Sequence, residues 1–275
     1  MHILLTNDDG LMAPGLLAAY AALKDRGHQV TACAPDGQRS AASQSITMRR
    51  PLKAAPWAMP DGALAFAVYG TPADCSRLGF TVLAKDRVDM VISGINDDLN
   101  VGYDINYSGT VAGAVEAASA GYPAIAVSME RAKAYDWKRA VHILVAVVDS
   151  YSSWNIPQGV AINLNIPAEL STSRNEWFWT RPHPKPAEDY YESEPHPDGS
   201  VLYQRLRGSM KQVMTEEEIE NPTTDVGHSL KGHITLSPIM SHGYNQKTLE
   251  RLMADNAKKL DNHISPRSVL TNRAG

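Results

Sequence analysis

The sequence predicts an α/β fold: a Rossmann-like, doubly wound, mostly parallel sheet in three α/β/α layers, with a C-terminal β-hairpin and helical extension. Two observations predict it. From residue 1 to about residue 165, short apolar runs typical of buried strands alternate with segments of helical periodicity. Beyond that point aromatic residues are mixed with Pro and Gly, which is typical of hairpins. We therefore expect a Rossmann-like core over residues 1–170 and an extension over residues 171–275.

The core elements are predicted in chain order. The first strand is the apolar run before Asp8, and the first helix lies between Pro14, which suits a first helical turn, and Gly27. The Thr-x-x-Asp pattern from Thr71 to Asp74 marks another helix start. Further strands are predicted at residues 29–34, 65–69, 88–92, 124–127 and 161–165, and further helices at residues 72–84, 111–120 and 136–150. Residues 35–43 and 93–110 are predicted to be polar loops.

The extension is predicted to hold a hairpin-rich stretch between residues 181 and 208, a returning strand near residues 233–236 and an amphipathic C-terminal helix. One side of that helix carries Leu249, Leu252, Met253, Ala257 and Leu260. Because an appended helix of this kind often docks on a second subunit, we expect it to support oligomerisation.

Composition favours a small-molecule partner. With 26 Lys and Arg against 30 Asp and Glu, the net charge of −4 gives no overall positive field to attract a nucleic acid duplex or a membrane surface. No apolar run reaches the ~18 residues of a membrane span, and the start lacks a secretory pattern, so a cytoplasmic protein is expected. The two cysteines, Cys33 and Cys75, have no metal or redox spacing and are predicted to be buried thiols.

Two adjacent carboxylates, Asp8 and Asp9, follow the first strand. Ligands of open α/β sheets bind outside the carboxyl ends of the strands, and these hard oxygen donors suit Mg²⁺ or Mn²⁺. Ser40 and Asn96 follow other strands and could add neutral oxygens. The same Asp pair also suits an Asx-turn or a helix cap, so both interpretations stay open.

Ser108, Gly109 and Thr110 open a predicted helix at the end of the long polar segment. Free N–H groups and the positive end of the helix dipole attract an anion, hydroxyl groups add donors, and Gly permits close approach. The alternative is an ordinary Ser N-cap. Elsewhere, five histidines near the extension lack the spacing of a helical zinc site and are expected to be structural or on the surface: His183, His196, His228, His233 and His242. Dinucleotide, P-loop and serine-hydrolase motifs are absent from the sequence.

Five segments together are specific for one known family. They are residues 6–10 (Thr-Asn-Asp-Asp-Gly), 34–40, 70–75 (Gly-Thr-Pro-Ala-Asp-Cys), 93–96 (Ser-Gly-Ile-Asn) and 107–111 (Tyr-Ser-Gly-Thr-Val). In these segments the chain resembles the SurE family of metal-dependent 5′/3′-nucleotidases, also described as acid phosphatases and survival proteins. The later chain matches thinly, through Thr224-Asp225 and residues 234–238.

The resemblance implies an activity and a set of roles. The activity is divalent-metal-dependent hydrolysis of nucleoside 5′- and 3′-monophosphates by a cytoplasmic homodimer or homotetramer that exchanges C-terminal segments. One metal ion, Mg or Mn, would be held by Asp8, Asp9, Ser40 and Asn96, of which Asp8, Asp9 and Asn96 are implied to be catalytic. The residues implied to bind substrate are Ser40, Asn100, Ser108, Gly109 and Thr110.

One departure bears on the phosphate pocket. The family usually has Asn-x-Gly-x-Asn where this chain has Asn96-Asp97-Asp98-Leu99-Asn100. Two extra carboxylates repel a phosphate unless they point away or recruit a second cation. Two rival functions therefore stay open: a nucleotide-binding sensor with little turnover, and a phosphatase acting through an aspartyl-phosphate on Asp8. The second lacks the usual acid two residues on, where Gly10 stands.

Overall fold

A ten-stranded sheet forms the centre of the protein. The computed structural model describes residues 1–132, 136–171, 176–208, 211, 214–241, 243–244 and 246–256. The sheet contains β1 (His2–Thr6), β2 (Gln29–Pro35), β3 (Ala54–Ala58), β4 (Leu64–Val68), β5 (Met90–Asn96), β6 (Ala124–Met129), β7 (Ala161–Ile166), β8 (Trp177–Trp179), β11 (Ile234–Met240) and β12 (Gly243–Tyr244). A separate antiparallel hairpin consists of β9 (Asp189–Pro195) and β10 (Val201–Arg207).

Seven α-helices lie in the described part of the chain. They are α1 (Pro14–Asp25), α2 (Pro72–Leu78), α3 (Gly109–Ser119), α4 (Trp137–Tyr151), α5 (Glu216–Glu220), α6 (Asp225–Leu230) and α7 (Gln246–Asn256). A π-helical turn (Gly79–Leu83) continues α2, and 3-10 segments occur at Gly102–Asn106 and Ser152–Trp154. No helix among the described residues is both long enough and apolar enough to cross a membrane.

The strand order places a topological switch point between β1 and β5. The order is β12-β11-β7-β6-β5-β1-β2-β4-β3, with β8 also paired to β11, and the strands from β7 to β4 are parallel. The chain passes from β1 to β2 and β4 on one side and returns to β5 on the other. Ligands of such sheets bind in the crevice outside the carboxyl ends at this reversal. Asp8 and Asp9 follow β1 there, and Asn96 ends β5.

Helices cover both faces of the sheet, as predicted. Ile3 and Leu5 of β1 point into a core shared with α1 and α4, whereas Leu4 points into a core shared with α2 and α3. This alternation is the period of two expected of a strand. Cys33 and Cys75 are buried free thiols, also as predicted, and burial raises the pKa of Cys33 to about 12.

The structure corrects several predicted boundaries. The strand predicted at residues 88–92 runs from Met90 to Asn96, so the first four residues of the predicted loop at 93–110 belong to it. The sequence did not reveal the end of this strand because the strand contains Gly94, which resembles a loop residue. Gly94 has a φ of +134° and lies so close to β6 that a Cβ would stand 2.2 Å from the Val127 carbonyl oxygen. Pro35, placed in a loop, ends β2.

Several elements were missed, including β3, β8, α5, α6 and β12, and one prediction extends beyond the described residues. β3 contains Pro56, which lowers strand propensity but is tolerated on this antiparallel edge. The 3-10 segment Gly102–Asn106 also lies in the predicted loop. Strands β8, β11 and β12 come from beyond residue 170 yet join the central sheet, and the proposed domain division stays a prediction. Ala257, Leu260 and His242 lie outside the described residues.

Candidate functional site

The turn after β1 presents two consecutive carboxylates at the switch point. Asn7 closes this turn, because its side-chain Nδ2 donates to the Gly10 carbonyl at 2.9 Å and its Oδ1 accepts from the Gly10 N–H at 3.1 Å. Gly10 has a φ of +105° and approaches Gly37, so that a Cβ on Gly10 would lie 3.2 Å from the Gly37 Cα. The Asn-x-x-Gly spacing was a signal for this turn, and sequence reasoning did not use it.

Asp8 contacts the N-terminus of α3. Its Oδ1 accepts a 2.5 Å hydrogen bond from the Thr110 hydroxyl, and a Cβ on Gly109 would stand 2.8 Å from its Oδ2. Asp8 is 5% exposed, and burial raises its pKa against the opposing hydrogen bond from Thr110. The structure therefore brings together the first-strand carboxylate and the predicted phosphate-binding helix. It also shows that the Thr110 side chain orients Asp8.

Asp9 is only partly buried. Burial, with the neighbouring carboxylates of Asp8 and Asp97, raises its pKa to about 7, and the Arg131 guanidinium opposes the shift. A bound cation would neutralise the negative charge that Asp8 and Asp97 place around Asp9. All the donors predicted here are hard oxygens, which fits the preference of Mg²⁺ or Mn²⁺.

The loop after β2 is tied to the same turn. The Arg39 N–H donates to the Asp8 carbonyl at 2.6 Å, and the Arg39 guanidinium pairs with Asp36 at 2.6 Å. Ser40 is the next residue; it is exposed, and its hydroxyl accepts from Gln38 Nε2 at 3.1 Å. Backbone contact thus brings Ser40 to the exit of β1.

Asn96 ends β5, and Asn100 lies in the loop that follows it. Asn96 Nδ2 donates to the Asp98 carbonyl at 2.6 Å, so its amide oxygen is the atom that a cation would contact. Asn100 is buried, and its Nδ2 donates to the Ser128 hydroxyl at 2.8 Å. Its carbonyl accepts from Asn163 and Asn165 at 2.8 and 3.0 Å. These bonds fix Asn100 over the ends of β6 and β7, and its substrate role stays a prediction.

The two extra acids of this loop are paired. Arg131 Nη2 lies 3.4 Å from Asp97 Oδ1, and Arg131 Nε lies 4.0 Å from Asp98 Oδ2. The positive charge of the guanidinium offsets the negative charges of Asp97 and Asp98, which from the sequence alone were expected to repel a phosphate. Arg131 follows β6 and is far from the loop along the chain, so no local signal linked the two.

The first turn of α3 has the N-cap predicted as one alternative, and its role in phosphate binding stays a prediction. The Ser108 hydroxyl caps the helix by accepting from the Val111 N–H at 3.0 Å. The first four N–H groups of an α-helix have no partner within the helix; here the Thr110 N–H hydrogen-bonds the Asp8 carboxylate, and the Gly109 N–H lies next to it at the start of α3. A capped helix start next to Asp8 can therefore still bind an anion.

A buried carboxylate anchors the loop between Asn100 and Ser108. Asp225 accepts hydrogen bonds from the backbone N–H groups of Gly102, His183 and Val226 at 2.8, 2.9 and 2.8 Å. Burial outweighs these bonds and raises the pKa of Asp225 to about 6. Thr224 and Asp225 contributed to the family resemblance, but the sequence did not predict the contact between Asp225 and Gly102.

The histidines lie outside this site. His183 is buried, His228 and His233 stack around Phe178, and His196 lies 2.9 Å from Asp198. Among the described residues, no group of three His, Cys, Asp or Glu side chains is arranged to hold a metal ion. The predicted ligand set contains two carboxylates and completes its shell with the neutral oxygens of Ser40 and Asn96.

Comparison with known proteins gives consistent matches. The family described as "Survival protein SurE" matches residues 3–189. "5'-nucleotidase SurE" of Fervidobacterium nodosum is 36% identical over 92% of this chain and 96% of that protein. "5'-nucleotidase SurE" of Maridesulfovibrio salexigens is 38% identical over 87% and 92%, respectively. The crystal structure of the Sure protein from Aquifex aeolicus covers 93% of this chain and 100% of that chain, with a TM-score of 0.73 and 29% identity.

Proposed function

The chain belongs to the Survival protein SurE family, and from that premise we propose that it is a divalent-metal-dependent phosphomonoesterase hydrolysing nucleoside 5′- and 3′-monophosphates to nucleoside and phosphate. Its relatives are named 5′-nucleotidases, and they align over most of their length. The observation that carries the proposal is the 2.5 Å contact between Asp8 and Thr110, because it joins a carboxylate pair to a helix N-terminus at the switch point.

Four residues would hold one metal ion, Mg²⁺ or Mn²⁺: Asp8, Asp9, Ser40 and Asn96. Their donors are carboxylate, hydroxyl and amide oxygens, and the raised pKa values of Asp8 and Asp9 fit a site that favours a cation. When bound, the metal supplies charge neutralisation for the phosphoryl group and a lower pKa for an attacking water.

The protein's own groups position the substrate. The Gly109 N–H at the start of α3 donates to a phosphate oxygen, and the dipole of α3 favours the negative charge of the phosphate. Asp8 is fixed by Thr110, whereas Asp9 is more exposed and reaches the cleft. We assign to Asp9 the orientation of the water, because a carboxylate oxygen accepts its proton. Asn100 holds the loop that encloses the phosphate.

Two observations disfavour the rival functions. An aspartyl-phosphate mechanism usually relies on a second acid two residues after the nucleophile, and Gly10 occupies that position. A sensor without turnover was suggested by the charges of Asp97 and Asp98, and Arg131 pairs with both. Trapping of phosphate on Asp8 would revive the first rival, and tight nucleotide binding without turnover would revive the second.

We also propose a homodimer or homotetramer located in the cytoplasm. Apolar and aromatic side chains are exposed on the β9–β10 hairpin: Tyr190, Tyr191, Leu202 and Tyr203. An isolated two-stranded hairpin is marginally stable in water, so a second copy of the chain is the expected cover. Two free buried thiols suit a reducing compartment.

The test is phosphate release from a panel of nucleoside 5′- and 3′-monophosphates with Mg²⁺, Mn²⁺ or a chelator. We expect phosphate release from both series of nucleotides, and we expect this release to require Mg²⁺ or Mn²⁺. Release unaffected by the chelator would refute metal dependence, and no release from any nucleotide would refute the proposed function.

A further inference from the structure

Two exposed tyrosines lie beside the proposed phosphate-binding helix. Tyr103 belongs to the 3-10 segment Gly102–Asn106, and Tyr107 immediately precedes Ser108, the N-cap of α3. Their side chains are 37% and 46% exposed, although tyrosine carries a large apolar ring. The two ring centroids are 6.0 Å apart with the planes tilted by 59°. The pair therefore offers aromatic faces to solvent in the segment that leads directly into the N-terminus of α3.

The backbone that carries these rings is held before any substrate arrives. The Tyr107 N–H donates to the Asp104 carbonyl at 2.9 Å, and Asn106 Nδ2 donates to the Tyr103 carbonyl at 2.7 Å. The Tyr107 carbonyl accepts from the Ser43 N–H at 3.0 Å, and Asp225 fixes Gly102. A ligand that uses a fixed platform loses little additional conformational freedom on binding.

The distance along the chain fits a nucleotide. The Tyr107 Cα lies ~3.8 Å from the Cα of Ser108 across one peptide bond. A phosphate bound at the Gly109 N–H would therefore lie within a few residues of the segment that carries both rings. An exposed aromatic face is the surface on which a nucleobase stacks.

We propose that Tyr103 and Tyr107 form the nucleobase-binding part of this site, with the base stacked on one ring and bordered by the other. This inference rests on the proposed nucleotidase function and adds the group that selects nucleotides from other phosphomonoesters. Every base has a π-face, so stacking tolerates purines and pyrimidines alike. Broad use of nucleobases and discrimination against base-free substrates follow.

A second exposed aromatic, Trp57, provides the internal comparison. It is 46% exposed and lines a cavity of about 350 Å³ that also touches Asp9 and Gly37. Trp57 pairs with Ala65, three residues before the end of β4 at Val68. The lining of that cavity includes no residue of α3, where the phosphate is proposed to bind. The tyrosine pair is therefore the better placed platform.

The experiment compares the wild type with three variants: Tyr103→Ala/Tyr107→Ala, Tyr103→Phe/Tyr107→Phe and Trp57→Ala. The substrates are adenosine 5′-monophosphate and base-free glycerol 2-phosphate, and adenosine is tested as an inhibitor of glycerol 2-phosphate hydrolysis. The double Ala variant is expected to raise KM for the nucleotide and Ki for adenosine about tenfold, on the scale of base stacking. The kinetics of the double Ala variant on glycerol 2-phosphate should match those of the wild type. The double Phe variant and Trp57→Ala should match the wild type on both substrates.

Three results would overturn the inference: an unchanged nucleotide KM and adenosine Ki in the double Ala variant, equal losses on both substrates, or the selective loss in Trp57→Ala instead. Circular dichroism and thermal unfolding of each variant verify that the fold is retained. Failure of the proposed function is distinguishable, since the wild type itself would then release no phosphate from adenosine 5′-monophosphate.

Discussion

Gly109 shows how one absent side chain determines the geometry of the site. A Cβ at this position would stand 2.7 Å from the Asp8 Cβ and 2.8 Å from its Oδ2. Real Cβ atoms essentially never approach so closely, so a larger residue would displace either the carboxylate or the start of α3. The close approach of this helix to β1 therefore requires glycine.

We predict that Gly109→Ala lowers kcat/KM about a hundredfold, the scale of an ångström-sized misplacement of reacting groups. It should also lower the free energy of unfolding by about 1–3 kcal/mol, as overpacking does. Steady-state kinetics and urea unfolding measure the two effects. Gly37→Ala is the matched control, because a Cβ there meets nothing within 4 Å. Wild-type kinetics in Gly109→Ala would refute the proposed contact.

At the scale of single residues, sequence analysis identified the groups with distinctive chemistry. The position of Asp8 and Asp9 after the first strand was predictable because an apolar run ends at adjacent carboxylates, and their role as metal ligands stays a prediction. Arg131 was not, because its effect depends on tertiary contacts with Asp97 and Asp98. Asn7 had a local signal, but its role in closing the turn needed the observed hydrogen bonds.

At the scale of elements, the first residue of α6 ties the loop after β5 to the extension. Asp225 is fully buried, and its pKa is raised from 3.8 to about 6. Between those pH values the folded chain binds a proton that the unfolded chain has released. The stabilisation from this proton is therefore fully present below pH 3.8 and is lost as the pH rises through about 6.

We predict that Asp225→Asn, which does not titrate, removes this dependence. The free energy of unfolding of the wild type minus that of the variant should increase as the pH falls from 7 to 4, by up to ~3 kcal/mol for a shift of about two pKa units. Urea unfolding across this range measures the difference, and carboxyl groups common to both chains cancel. Parallel curves for the two proteins would contradict the prediction.

Predicting these elements from the sequence succeeded where periodicity was regular. The capping box of Thr71 and Asp74 and the N-cap of α4 at Asp136 lie where local patterns indicated. The end of β5 was missed because Gly94 and Asn96 resemble loop residues, whereas pairing of Ser93 and Asn96 with β6, across an irregularity that contains Gly94, keeps this segment in the sheet. Tertiary pairing, which a local pattern does not contain, decided this boundary.

At the scale of the whole molecule, the alternation of strands and helices predicted the layered α/β class. It did not predict that the strand order reverses between β1 and β5, since neighbouring strands are chosen by packing of the complete sheet. That reversal brings Asp8, Asp9 and Asn96 to one crevice. The hairpin was predicted from its composition, and its exposed surface became apparent only in the fold.

We predict that replacing Asp189–Arg207 by a short Gly-Ser linker converts the assembly into monomers, because the exposed apolar side chains of the hairpin are then removed. Light scattering measures the mass of each assembly. Val82→Ser is the control, since Val82 is also an exposed apolar residue but lies in the turn after α2. A monomeric wild type, or an unchanged assembly without the hairpin, would contradict the proposed interface.

The most direct test of the site is metal-dependent phosphate release from adenosine 5′-monophosphate by Asp9→Asn and Asp98→Asn. Asp9→Asn should lose at least about a hundredfold in kcat/KM, because even residues that only support a metal ligand typically contribute 10–100-fold. Asp98→Asn removes an exposed acid that pairs loosely with Arg131 and should stay within about fivefold of the wild type. Full metal-dependent activity in Asp9→Asn would contradict the assignment of the site to the exit of β1.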